Sequence, residues 1–206
     1  MQYILMGDVI KSRKKDSELL WNDLNKIVEK VNDKFATDIL SPLQIKIGDE
    51  FQVVMKDVAS TLQLLYYLNI YFTYKSIKVR FAIGYGDIET VINSSSANNM
   101  MGKGLTETYE ILNDKKDPNR YRFYIQENKN VEIALNSIGL LLSEIEEMKV
   151  SQKQSEYLYR KVVLNQEIDQ IAESMQVSER SVYGYEKRSH YKLFHKIFAS
   201  IEEILR

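Results

Sequence analysis

The sequence predicts an α+β domain followed by an all-α one, and three observations carry that reading. Strand-like runs rich in β-branched and aromatic residues are confined to the first 125 residues. Between them lie stretches whose apolar residues recur at helical spacing, so strand and helix alternate. From Ser151 onward there is no strand pattern, no proline and a single glycine, Gly184.

Residues 2–6 form a short apolar strand closed by Gly7-Asp8. From Asp16 to about Phe35, Leu19, Leu20, Leu24, Ile27, Val28 and Val31 give a helix. Ser41-Pro42 breaks the chain, and Leu43–Ile47 reads as a strand. Gly48-Asp49 makes a tight turn, from which Phe51–Met55 returns as the second strand of a hairpin. Val58–Tyr74 follows as a helix with a dense apolar face (Leu62, Leu65, Tyr66, Ile70). Its tyrosine-rich part is most simply an amphipathic helix packed on the sheet. Ile77–Tyr85 is a further strand.

Strand, helix, strand, strand, helix, strand is the ferredoxin-like order, an antiparallel sheet backed by helices. Ser94–Asn99 is a polar loop, Gly102–Leu112 a helix and Arg120–Ile125 a late strand. After Asn128 the texture changes: Val131–Met148 is helical, with Ile133, Leu140, Leu141, Ile145 and Met148 expected inward. The expected division is residues 1–127, a connecting helix over 128–150, and an all-α domain over 151–206.

Composition narrows the chemistry. With 206 residues, 44% hydrophobic and 28% charged, the chain has the make-up of a soluble globular protein with a sizeable core. The absence of cysteine excludes a disulfide scaffold and thiolate chemistry. His190 and His195, the two histidines, leave little scope for a histidine-rich zinc site. A bound metal would be a hard ion held by carboxylates, Mg2+ or Mn2+. Neither a signal peptide nor an apolar run of membrane-spanning length is visible, so no membrane association and a cytoplasmic location are expected.

The stretch from Gln166 to Tyr185 has the pattern of a helix-turn-helix. Ile168 and Ile171 anchor its first helix, and Ala172 is small where two helices cross. Val177 fills the turn, in which Gln176 stands where glycine is common. Ser178 is placed as an N-cap, with Glu179 in the first turn and Val182 and Tyr185 inward. Gln154–Leu164 supplies a supporting helix. Ser178, Arg180, Ser181, Tyr183, Lys187 and Arg188 are then the candidate DNA-contacting residues. Although the net charge is only −1, Arg180 to Lys196 carries five Lys/Arg against one Glu. The last helix, with Leu193, Ile197, Ile201 and Ile204, is either core or a homodimer seam that would suit a two-fold operator. The alternative for the whole module is a helical protein-interaction domain.

Two acids attract chemistry upstream. Asp8 ends the first strand in Met6-Gly-Asp-Val-Ile-Lys-Ser-Arg13, and Asp49 sits in the hairpin turn of Ile45-Lys-Ile-Gly-Asp-Glu-Phe51. The ferredoxin-like order makes this strand and hairpin neighbours. Two facing carboxylates repel unless a divalent cation lies between them, an arrangement suited to nucleoside triphosphates. Lys11, Arg13 and Glu50 complete the candidate nucleotide-binding set. Alternatively, Asp8 caps a turn and Asp49 merely occupies a tight hairpin.

These motifs carry a resemblance. Ile47-Gly-Asp-Glu-Phe51 is similar to the Gly-Asp hairpin of class III nucleotide cyclases and, more distantly, to the Gly-Gly-Asp-Glu-Phe hairpin of diguanylate cyclases. Together with Gly7-Asp8-Val-Ile-Lys-Ser-Arg13, Val79-Arg80-Phe-Ala-Ile-Gly-Tyr-Gly86, Asp87-Ile-Glu-Thr90 and Gly102-Lys-Gly104, it resembles the bacterial SatD family. That resemblance implies a nucleotide-cyclase-like domain over roughly the first 125 residues and a C-terminal helix-turn-helix. Thr106 and Glu110 stand where class III cyclases carry an Asn and a transition-state Arg, and Ile45 where they carry a base-reading Lys. A carboxylate at residue 110 cannot stabilise developing negative charge, so no catalytic residue is assigned. The expectation is a DNA-binding regulator whose cyclase-like domain senses a nucleotide or divalent metal. The alternatives are a metal-dependent nucleotidyl transferase or cyclase, and a non-catalytic interaction protein.

Overall fold

The computed structural model describes residues 1–147 and 150–205. Strand β1 (Gln2–Val9) runs on through Gly7-Asp8 and leads over a 3-10 turn (Ser12–Lys14) into helix α1 (Ser17–Lys34). Asp16 caps α1, its carboxylate accepting the N–H groups of Glu18 and Leu19 at 3.0 Å each. Leu20, Leu24, Ile27 and Val31 form the buried stripe of α1, whereas Leu19 is exposed. Strand β2 (Ile39–Ile47) includes Pro42, where a break was expected. A register shift between Ser41 and Gln44, on a strand at the sheet edge, accommodates the missing N–H.

Gly48 turns the chain at φ +62°, a conformation that only glycine adopts without strain, and β3 (Glu50–Met55) returns. Helix α2 (Val58–Tyr74) and strand β4 (Val79–Gly86) complete the strand–helix alternation. Helix α3 (Lys103–Asn113) and strand β5 (Tyr121–Ile125) follow. The strand order is β2-β3-β1-β4-β5. β1 is antiparallel to both β3 and β4, but β5 runs parallel to β4, so the sheet is mixed and not antiparallel throughout. A helical crossover, α3, lies between β4 and β5 as a parallel pairing requires.

Alternation along β1 sends Leu5 into the main core and Ile4 and Met6 into a smaller cluster with Ala82 and Leu112 under α3. At Gly7 an added Cβ would lie 2.1 Å from the Phe51 ring, so the absence of a side chain lets Phe51 cross β1. Phe51 stacks there on Phe72 and meets Phe81 edge to face.

Helix α2 is not amphipathic: nearly every residue from Val58 to Phe72 is buried. The sheet covers one side, and the C-terminal helices cover the other, with Tyr66 meeting Tyr191, Phe194 and Phe198. A helix apolar all round needs cover all round.

Helix α4 (Lys129–Glu147) lies along β5. It turns Leu135 and Leu142 into the core, with Val131, Ile138 and Ile145 beside them. Of the expected inward residues, Ile145 is correct, Ile133, Leu140 and Leu141 are exposed, and Met148 lies outside the described residues.

Helix α5 (Gln152–Leu158) continues as a π-helical segment, Tyr159–Val163. Helices α6 (Ile168–Met175), α7 (Glu179–Arg188) and α8 (Tyr191–Leu205) end the described chain. In α8 the buried residues are Phe194, Phe198 and Ile201; of the stripe expected from the sequence, Ile201 and the half-buried Ile197 pack on the core, while Leu193 and Ile204 are exposed. Among the described residues, no helix is long and apolar enough to cross a membrane.

Candidate functional site

Two regions gather the candidate residues. The first is the α6–α7 pair. Ile171, Ala172 and Val182 are buried between these helices and their neighbours, and Val177 is half-buried in the connecting turn. Gln176 adopts φ 54°, ψ 48° at the end of α6, the left-handed conformation glycine adopts without cost. Gln176→Gly is therefore expected to stabilise the protein by about 0.5–1 kcal/mol. The check is a rise of a few degrees in melting temperature; a fall would contradict the strain.

Ser178 caps α7, its hydroxyl oxygen accepting the Ser181 N–H at 3.2 Å. The same hydroxyl lies 3.0 Å from the Ser181 hydroxyl. These two serines thus hold the start of the helix. Arg180, Tyr183, Lys187 and Arg188 project from α7 into solvent. The Arg188 guanidinium lies over the Tyr185 ring, 5.7 Å from its centroid. Glu186, the one acid within α7 after its first residue, is paired at 3.3 Å with Lys192.

The second region lies on the α3 face of the sheet. Asp8 sits within β1 opposite Arg80 of β4, so it caps no turn. The Arg80 guanidinium donates to Asp8 Oδ2 at 2.7 Å, and both residues are more than nine-tenths buried. Asp8 nevertheless stays above the ordinary carboxylate value, because burial and then the Asp49 charge outweigh Lys115, Arg80 and Arg122. Burial and the Asp8 charge also raise Glu50, with Lys115 opposing. Asp8, Asp49 and Glu50 therefore share one electrostatic neighbourhood, as the hairpin motif suggested. Glu50 belongs to it because it lies two residues from Gln52, which pairs with Met6 on the α3 face.

One further observation marks this cluster. Asp49 Oδ2 is buried without a hydrogen-bond partner, a costly state for a carboxylate oxygen. A cation placed between Asp49 and Asp8 would offset that cost. Among the described residues no three acids or histidines converge to hold a metal unaided. Two protein carboxylates suffice for an ion such as Mg2+ that takes its other oxygens from water or phosphate.

Lys11 and Arg13 part company. Lys11 is exposed at φ 59° on the rim of a basic cavity that also contains Arg80 and Lys115. Arg13, also exposed, does not line that cavity.

Sequence reading did not foresee Arg80, Lys115 or Arg122 at this site. For the arginines a signal existed: each is the lone charge in an apolar strand, Val79–Gly86 and Tyr121–Ile125. Such a charge must find a partner when the strand is buried. Thr106 lines a smaller hollow with Glu50 and Tyr109, and Glu110 is exposed.

The model of the SatD family matches residues 3–204 of the chain. No curated protein matches it.

Proposed function

The chain belongs to the SatD family, and on that premise we propose that it is a DNA-binding regulatory protein whose α+β part senses a nucleotide or a divalent metal. The observation that carries the DNA reading is the division of α7. Val182 anchors it in the interior, while Arg180, Tyr183, Lys187 and Arg188 face solvent together. That is the composition of a recognition helix, with Lys and Arg for phosphates and hydrogen-bonding tips for base edges. The capped start of α7 and the left-handed Gln176 support a helix-turn-helix arrangement of α6 and α7.

For the α+β part, the strand order β2-β3-β1-β4 with helices α1 and α2 as crossovers supports a ferredoxin-like, cyclase-like architecture, to which β5 is added. The orphaned Asp49 oxygen beside Asp8 favours a site for a divalent ion, Mg2+ or Mn2+. It also gives the enzyme reading, a metal-dependent nucleotidyl transferase or cyclase, its one specific support. Glu110 in place of a cation weighs against transition-state stabilisation, so sensing is the better reading.

The test is binding of the full chain to genomic DNA fragments over a range of salt. Affinity should fall steeply with salt, and Arg180→Ala/Arg188→Ala should weaken binding by about tenfold or more and reduce the salt slope by about 2. Unchanged binding by the double variant would remove α7 from the interface. No DNA binding at any salt would leave the interaction-protein alternative. Incubation with nucleoside triphosphates and Mn2+ separates sensor from enzyme, since only the enzyme gives turnover that Asp49→Asn abolishes.

A further inference from the structure

A cavity of about 640 Å³ opens next to Asp8, between the 3-10 turn after β1, the start of β4 and the loop that follows α3. Six lysines and two arginines line it against a single carboxylate, Asp117. That carboxylate is already 3.5 Å from buried Arg122, and Arg80 is neutralised by Asp8. The ammonium groups of Lys11, Lys14 and Lys116 have no acidic partner among the described residues. Like charges gathered in a concavity repel one another and destabilise the empty protein. A surface serving only solubility would spread them out.

The backbone around the cavity is also held under tension. Lys11 (φ 59°) and Ser76 (φ 54°) are both non-glycine residues in the left-handed region, and both line the cavity. Each such position costs on the order of 1–3 kcal/mol and persists only where surrounding contacts enforce it. Those contacts are visible: the Lys15 ammonium donates to the Ser76 carbonyl at 2.8 Å, and the Ile10 N–H to the Lys78 carbonyl at 2.8 Å. On the opposite rim, Arg122 donates to the Asp117 carbonyl at 2.6 Å and fixes the loop bearing Lys115 and Lys116.

We propose that this cavity binds a chain of phosphate groups, either free or as the oligophosphate end of a nucleotide, through Lys11, Lys14, Lys115 and Lys116. The proposal deepens the sensing reading above and rests on it for its regulatory meaning. Lysines act as point charges suited to a compact, multiply charged anion. The volume lies within the range of about 300–1,000 Å³ typical of small-ligand sites. A duplex is too wide to enter such a hollow. Arg80 lines the cavity and holds Asp8 at 2.7 Å, so the inner end of a bound chain would lie beside the acidic cluster.

Ser76, Lys78 and Arg120 have a second role in the geometry. They also line a cavity of about 450 Å³ that reaches Ser189 and His190, directly after α7. Phosphates in the basic cavity would thus press on a wall shared with the end of the candidate recognition helix.

Titration calorimetry of the full chain with sodium tripolyphosphate, in EDTA and without DNA, tests the proposal. One equivalent should bind, and Lys14→Ala/Lys116→Ala should weaken binding at least about tenfold. Without ligand, that variant should melt no lower than the parent. Asp49→Asn should still bind tripolyphosphate without metal, which separates this site from the acid pair. If ATP and tripolyphosphate bind equally, phosphate alone is recognised; if ATP binds tighter, the nucleoside contributes. No binding of either, binding unaffected by the lysine substitutions, or displacement of tripolyphosphate only by duplex DNA would overturn the proposal.

Discussion

Replacing Arg122 by methionine should destabilise the protein by about 3–5 kcal/mol and lower its melting temperature by roughly 10 °C. The side chain is 2% exposed and works as a clamp. Its Nε donates to the Asn119 carbonyl at 2.7 Å and Nη2 to the Asp117 carbonyl at 2.6 Å. Nη1 donates to the carbonyls of Ile111 and Leu112, which end α3. Methionine fills much of the volume but leaves these acceptors, buried at Leu112 and Asn119 and half-buried at Ile111 and Asp117, without their donor. Burial pulls the guanidinium below its ordinary value, with Asp117 opposing, so the charge is retained against desolvation. Arg122→Lys should rescue little, because one ammonium cannot reach carbonyls arranged around a planar fork. Urea denaturation of both variants decides it. A methionine variant within about 1 kcal/mol of the parent would show that the clamp contributes little.

Arg80→Met tests the acidic cluster. It removes the guanidinium 2.7 Å from Asp8 and leaves a buried carboxylate beside Asp49, at an expected cost of about 3 kcal/mol near neutral pH. Because Asp8 already sits above its ordinary value of 3.8, the folded state holds this proton more tightly than the unfolded chain. Stability from this group therefore falls as pH rises through the raised value and recovers on acidification. In Arg80→Met the raised value should climb further, so its deficit is largest near neutrality and shrinks in acid. Adding Mn2+ near neutrality should restore part of the loss, and Asp49→Asn should abolish that restoration. Melting curves across pH, with and without the ion, provide the check; a deficit independent of pH would mean the loss is one of packing.

Local rules carried the sequence reading a long way. The start of α1 near Asp16, Gly48-Asp49 as a turn and Ser178 as a cap are decided by neighbours in the chain, and the structure has each of them. The errors lie where distant partners decide. In α4 and α8 apolar residues occur on more than one face, and which face turns inward depends on β5 and α2. Ile133 and Leu141 are thus exposed while Leu135 and Leu142 are buried. Asp8 and Asp49 could be paired from strand order alone. The basic cavity could not, because its lysines come from three separate stretches, residues 11–15, 78 and 115–116, and only Lys11 lies in a stretch with a motif.

The position of α2 has a consequence for the order in which the chain can fold as it is made. The helix is complete at residue 74, yet its outer side is covered by residues such as Tyr157, Phe194 and Phe198. While translation proceeds from the amino end, the sheet can form on the ribosome with one of the most apolar helices in the molecule still bare. Emergence of the segment that carries Tyr157, Phe194 and Phe198 is then the step that closes the interior. A nascent chain halted before them would present an adhesive surface to chaperones and to other copies of itself.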